Sequence, residues 1–254
     1  LELEKGTIMN ADRPVLSASG LTKEYGHAAA RVDAVRDVRL EVMAGESVAV
    51  VGPSGCGKSS LLYLLGGLER PTAGSLRLAG ERLEDLSEAG LARLRRRALG
   101  FVFQDFHLVE ELSALENVEL PALLAGASPR RARERARDLL DQVGLGERSA
   151  HLPSALSGGQ RQRAAVARAL ANEPLVVLAD EPTGNLDSAA TTDVLRLFEQ
   201  LHAAGQTLVM VTHDERVAAT ADRLITMRDG MFVDETQLTG GVARTLSAMT
   251  GLEA

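Results

Sequence analysis

Four short, unbroken apolar runs punctuate the chain: SVAVV (47–51), LGFVF (99–103), LVVLA (175–179) and TLVMV (207–211). Each is aliphatic or β-branched and too short for a helix, as expected of strands covered on both faces of a parallel sheet. Residues 15–42 read as extended, with VRLEV (38–42) alternating apolar and polar positions before a turn at Ala44–Glu46. SLRLAG (75–80) adds a short strand, and RLITMRDGMFVDE (223–235) a hairpin that reverses at Asp-Gly.

Helical spacing governs the segments between. SLLYLLGGL (60–68) reads as a short helix ending at Gly66–Gly67. Residues 111–171 read as mainly helical. They include SALENVELPALLAG (113–126), interrupted at Pro121, and SPRRARERARDLLDQVGL (128–145), with Ser128 as N-cap and Pro129 in its first turn. SAATTDVLRLFEQLHAAG (188–205) closes at Gly205. Strands alternating with helices imply an α/β core, and the helical middle reads as a subdomain of its own. No internal repeat is evident.

The first strand run feeds Gly52-Pro53-Ser54-Gly55-Cys56-Gly57-Lys58-Ser59 and Ser60. Glycines let successive N–H groups curl around phosphate oxygens, Lys58 brings positive charge to them, and the Ser59 hydroxyl suits Mg²⁺. A helix begins directly behind, so its N-terminus faces the same anion. Where the third run ends, Asp180 and Glu181 emerge. Beside a phosphate loop, the first suits Mg²⁺ and the second can polarise an attacking water as general base. His213 follows the fourth run at what should be the same sheet edge, in reach of a γ-phosphate. His27, His107, His151 and His202 have no such context. A second glycine pair, Ser157-Gly158-Gly159, opens the helical stretch QRQRAAVARAL from Gln160 onward and offers a hydroxyl and free N–H groups of its own.

Composition narrows the partners. The 254 residues carry a formal net charge of −7, which removes any global electrostatic case for nucleic acid. One cysteine, Cys56, excludes an internal disulfide framework and fits a reducing cytosol. No apolar run approaches the roughly 18–20 residues that span a bilayer, and no secretory signal pattern opens the chain, so a membrane role implies a separate partner. LELEKGTI precedes Met9, which leaves the chain's own start open between Leu1 and Met9. Arg130, Arg131, Arg133, Arg135 and Arg137 crowd one helix with only Glu134 and Asp138 to balance them, either as a solvated face or as a contact for a membrane partner or anionic lipid. Cys56 reads as a small filler whose alkylation would crowd out a nucleotide.

Taken in order, GPSGCGKS, FVFQ with Gln104, LSGGQ (156–160), LADEP, GNLD with Asp187, and TH with His213 resemble the motifs of the ATPase (nucleotide-binding) subunits of ABC transporters. The likeness covers roughly residues 16–235. It implies an α/β phosphate-loop NTPase (RecA-like) core with an antiparallel β-subdomain and a helical signature-motif subdomain at about 105–171. Residues 1–15 would form an N-terminal extension and 236–254 a tail. It further implies ATP and Mg²⁺ as ligands, with Gln104 touching the metal or the attacking water and Asp187 at a dimer interface. Tyr25 would stack on adenine; from the residue alone, packing within the β-subdomain is the alternative use of the ring. Ser157, Gly158, Gly159 and Gln160 would cap ATP bound by a second copy of the chain.

Within the superfamily the stretches LLGGLERPTAG, LARLRRRALGFVFQDFHL and ADEPTGNLDS are similar to the lipoprotein-releasing, macrolide-exporter and cell-division ATPases (LolD, MacB and FtsE types). Ala164, and Glu110 with Glu111, depart from that subgroup's pattern. The resemblance implies an FtsX- or MacB-like permease as partner, and a cytoplasmic location at the inner face of the cell membrane. Two alternatives remain at this point: a soluble ABC ATPase of DNA repair or translation, or a non-transport cell-division ATPase. A nucleotide-gated regulator without turnover is disfavoured by the intact Glu181 and His213.

Overall fold

The computed structural model describes residues 13–26 and 31–238. The expected extension as far as residue 12, His27, and the tail beyond Leu238 therefore lie outside the described residues. The apolar runs form β3 (Ser47–Val51), β6 (Leu99–Val102), β7 (Val176–Asp180) and β8 (Thr207–Thr212), neighbours in a six-stranded sheet. Its order is β10-β9-β3-β8-β7-β6, with β9 (Arg223–Arg228) parallel to β3 and β10 (Met231–Gln237) antiparallel at the edge. The β9–β10 turn works because Asp229 and Gly230 both take positive φ, 49° and 81°.

Alternation explains why the central strands are apolar throughout. Val48, Val50, Leu178, Val209 and Val211 point into one core, while Ala49, Val177, Ala179, Leu208 and Met210 point into the other. The first core lies under the helix α1 (Lys58–Leu65) and a four-stranded antiparallel sheet. That sheet comprises β1 (Leu16–Tyr25), β2 (Val32–Val42), β4 (Ala73–Leu78) and β5 (Glu81–Arg82), in the order β2-β1-β4-β5. The second core is closed by α3 (Ala114–Leu124), α4 (Pro129–Gln142), α5 (Gly158–Ala169) and α6 (Ser188–Ala203). Ala164 sits fully buried there.

Three local expectations change. Pro121 does not interrupt α3, which runs through it. Beyond it the backbone still bonds, Ala125 N–H to Pro121 O, and Asn172 and Arg96 side chains donate to the carbonyls of Pro121 and Leu124. A proline in the last turns thus forfeits one bond in a helix end secured from outside. An unanticipated helix, α2 (Glu88–Ala98), precedes β6. Its buried Leu91, Leu94 and Ala98 are diluted by four arginines, and Ser87 caps it. The short α7 (Glu215–Ala218) was not anticipated either. The arginines of α4 divide their work: Arg130 pairs with Glu134 at 2.9 Å, Arg133 with Glu119 of α3 at 3.7 Å, and Arg135 reaches Leu170 O.

Candidate functional site

Since β3, β8, β7 and β6 are parallel and adjacent, their carboxyl ends share one edge, where an open sheet places its ligand crevice. The phosphate loop leaves β3 there, Asp180 and Glu181 leave β7, His213 follows β8, and Gln104 lies two residues past β6. The loop passes through a gap that only glycine fits. A β-carbon on Gly52 would collide with the Met227 carbonyl of β9, and one on Gly57 with the Ala34 carbonyl of β2. Gly57 also holds a φ of 105° and caps α1 without a side-chain acceptor, so the first N–H groups of that helix have no side-chain partner at the cap and are available to an anion.

Lys58 is 6% exposed and donates to the carbonyls of Gly52 (2.8 Å) and Pro53 (3.2 Å), which keeps a desolvated ammonium partnered at the loop. Its Nζ lies 3.8 Å from Glu181 Oε1. Ser59 donates to Asp180 Oδ1 at 3.0 Å. Burial raises the Asp180 carboxyl above its ordinary value; the Ser59 and Tyr63 hydroxyls oppose that rise and neighbouring Glu181 adds to it. Tyr63, overlooked in the sequence, lies one turn along α1 from Ser59, and its own phenol is raised by burial and by Asp180. The i, i+4 spacing was its single signal.

Glu181 adopts a left-handed φ of 43°, uncommon without glycine. Its Oε2 accepts from Thr212 Oγ1 (3.1 Å) and His213 N (3.2 Å) and lies 3.0 Å from His213 Nδ1, while Oε1 faces Lys58. His213 is brought onto the carboxylate through Nδ1, and its mostly exposed ring leaves Nε2 for another partner. Gln104 donates to Asn185 at 3.2 Å, and Asn185 donates back to Gln104 O and to Asp105. Neither Thr212 nor Asn185 was marked in the sequence, for their roles arise from contact between separate strand ends.

A cleft of about 710 Å³ is lined by the loop from Ser54 through Gly55, Cys56, Gly57, Lys58 and Ser59 to Ser60, and by Tyr25, Gln104 and Glu181; Gly52, Pro53, Asp180 and His213 do not form part of this lining. Tyr25, at the rim, hydrogen-bonds Glu69 and carries the Lys23 ammonium 5.0 Å from its ring centroid. Burial and Glu69 together raise its phenol. Cys56 is buried, and its carbonyl accepts from Gly230 N, as a filler between the loop and the β9–β10 turn.

Ser157, Gly158, Gly159, Gln160 and Asp187 do not line this cleft. Ser157 and Gln160 form a reciprocal capping box on α5, and Asp187 caps α6 through Ala190 N at 2.8 Å. Gly159 serves packing too: a β-carbon there would stand 2.7 Å from that of Ala190.

Residues 35–184 match the family model described as ABC transporter. The chain is 49% identical over 222 residues to the macrolide export ATP-binding/permease protein MacB of Hyphomonas neptunium, covering 87% of this chain and 34% of that protein. It is 47% identical over 218 residues to an ABC transporter ATP-binding protein of Thermotoga maritima, covering 86% of this chain and 93% of that one. The chain thus spans about a third of the length of the macrolide-export relatives. Among solved structures, the ATP-binding cassette MJ0796, dimeric in a post-hydrolysis state with ADP and Pi, superposes with a TM-score of 0.82 at 40% identity, over 89% of this chain and 99% of that one. The α/β fold expected of the sequence is the fold of that cassette. The chain therefore belongs to the ABC transporter family, as its ATP-binding, ATP-hydrolysing domain.

Proposed function

We propose that the cleft binds ATP with Mg²⁺ and that two copies of the chain close on two nucleotides to drive a separate membrane permease of MacB or LolD type. The observation that carries this is the doubled acidic strand end: Asp180 on the Ser59 hydroxyl at 3.0 Å, and Glu181 beside Lys58 at 3.8 Å. Hard oxygen donors at Ser59 and Asp180, with Gln104 on the same rim, suit Mg²⁺. Among the described residues no group of three or more His, Cys, Asp or Glu side chains is placed to hold a metal ion, so the phosphates of the nucleotide would supply the remaining oxygen ligands. When bound, Mg²⁺ would neutralise charge on the phosphate oxygens.

The phosphate loop and Lys58 hold the β and γ phosphates, and Tyr25 offers its ring to adenine. Glu181, fixed through one oxygen by Thr212 and His213, takes a proton from the attacking water with the other, while Nε2 of His213 turns to the γ-phosphate. Ser157, Gly158, Gly159, Gln160 and Asp187 face the second copy, whose ATP they cap. Among the described residues no helix is long and apolar enough to cross a membrane, which supports a permease on another chain or segment. The test is Glu181→Gln. It should retain ATP binding, lose turnover by about a thousandfold, and accumulate as an ATP-bound dimer on size exclusion. Rapid turnover by that variant would remove Glu181 as the base.

A further inference from the structure

Two left-handed turns at non-glycine residues carry the groups placed on the water side of the reaction, and one helix braces both. The first is Phe106–His107, at φ 62° and 49°, directly after Gln104 and Asp105. Side chains of this bulk hold two consecutive such positions only where the surroundings impose them. Arg168, in the last turn of α5, imposes these: it donates through Nη2 to Phe106 O at 2.8 Å and through Nη1 to His107 O. Arg161 of the same helix stacks 4.8 Å over the Phe106 ring. Arg168 makes no ion pair among the described residues, and burial lowers its pKa. A half-buried cation held against two carbonyls is a costlier filler than an apolar side chain of similar size.

The second turn is Glu181–Pro182, with Glu181 at φ 43°. Gln162 of α5 is fully buried and donates from Nε2 to Pro182 O at 2.7 Å, while its Oε1 finds no donor among the described residues. The accepting carbonyl lies in the Pro182–Thr183 peptide, one peptide beyond Glu181, so this bond anchors the turn that carries the carboxylate.

We propose that Arg168 and Gln162 are positioning residues, through which α5 sets Gln104 and Glu181. The helix whose first turn at Ser157 addresses the partner's ATP would thereby also tune the catalytic geometry of its own site. This rests on the assignment of Glu181 and Gln104 above. Neither strut touches the phosphate loop or Tyr25, so their loss falls on turnover and spares nucleotide binding.

The experiment measures kcat per ATP-occupied site, together with KM, for Arg168→Met, Gln162→Met and Glu181→Gln. In both strut variants kcat should fall roughly ten- to a hundredfold with KM within about twofold, the cost of an ångström-scale misplacement. His107→Gly, which accepts the left-handed backbone without restraint, should restore part of the loss in Arg168→Met. A merely structural role would lower the fraction of protein that binds ATP and leave kcat per occupied site unchanged; that result overturns the proposal. If Arg168→Met does not fold, Arg168→Lys, which keeps one donor, is read by the same criteria. Unimpaired turnover in Glu181→Gln would instead strike the assignment of the base, and the two failures are distinguishable.

Discussion

The phosphate cleft and the Ser157–Gln160 turn both offer backbone N–H groups at the start of a helix, yet they are built on opposite plans. In the cleft nearly every polar group already has a partner from its own chain: Lys58 lies on two loop carbonyls, Ser59 on Asp180, and Glu181 on Thr212 and His213. Desolvated charges are held there at some cost, as the raised Asp180 carboxyl records. The Ser157 turn is open by contrast. Its capping box spends the Ser157 and Gln160 side chains on each other, and the N–H groups of Gly158 and Gly159, first in α5, have no intrahelical acceptor. A strained, buried half and a relaxed, exposed half are what the proposed composite site requires, in which the first would prepare the chemistry and the second would respond to the γ-phosphate.

Complementation would break that comparison most sharply. Ser157→Arg and Lys58→Ala should each lose at least about a hundredfold in turnover, one through the second half-site and one through the first. Mixed in equal amounts they should recover about a quarter of wild-type activity, because half of random pairs are mixed and each of those has one intact site of two. Phosphate release on mixing measures this directly. No recovery, with both variants folded, would mean that the two halves act within one chain.

Asp180→Asn sharpens the contrast in stability. Burial raises this carboxyl in the native state, so between the unfolded and folded values the native chain holds the proton more firmly, and stability declines as pH rises through that window. The penalty is complete above the folded value and absent below the unfolded one. Asp180→Asn should therefore raise the Tm of nucleotide-free protein at neutral pH but not in acid. At this chain length the gain is roughly 2–4 °C per kcal/mol relieved. Mg²⁺-dependent ATP affinity should fall at the same time, by about tenfold or more. Thermal melts at two pH values and nucleotide titration with and without Mg²⁺ read both arms. A lower neutral Tm would show that the Ser59 and Tyr63 bonds outweigh desolvation.

What could be read from the chain follows the same division. The phosphate loop was legible because backbone chemistry alone dictates its glycines, its lysine and its place between strand and helix. The four strands of the apolar runs were legible because burial on both faces leaves few polar positions along them. Helix α2 was not, since Arg93, Arg95, Arg96 and Arg97 swamp the spacing of Leu91, Leu94 and Ala98. Tyr63, Thr212 and Asn185 were missed for another reason: each works on a residue far away in sequence, and apart from the one-turn spacing of Tyr63 from Ser59 nothing local marks them. The same holds for Gln162 and Arg168, which stand in plain view beside LSGGQ while their acceptors lie on other loops.

The smallest expected effect concerns the glycines of the open half. Gly159 presents a bare α-carbon against Ala190, and in the proposed function it would also offer its N–H to a phosphate. Gly159→Ala would gain helix propensity, about 1 kcal/mol in a helix interior and less at its start. Against that, a β-carbon 2.7 Å from the one on Ala190 forces α5 and α6 apart, and overpacking of this kind costs about 1–3 kcal/mol. The net expectation is a modest loss of Tm in the nucleotide-free monomer, reversed when Ala190→Gly reopens the space, with ATP binding in the cleft unchanged throughout. If Gly159→Ala instead raises the Tm and lowers only dimer turnover, the glycine serves the partner's phosphate alone, and the packing of α5 on α6 has no share in its presence.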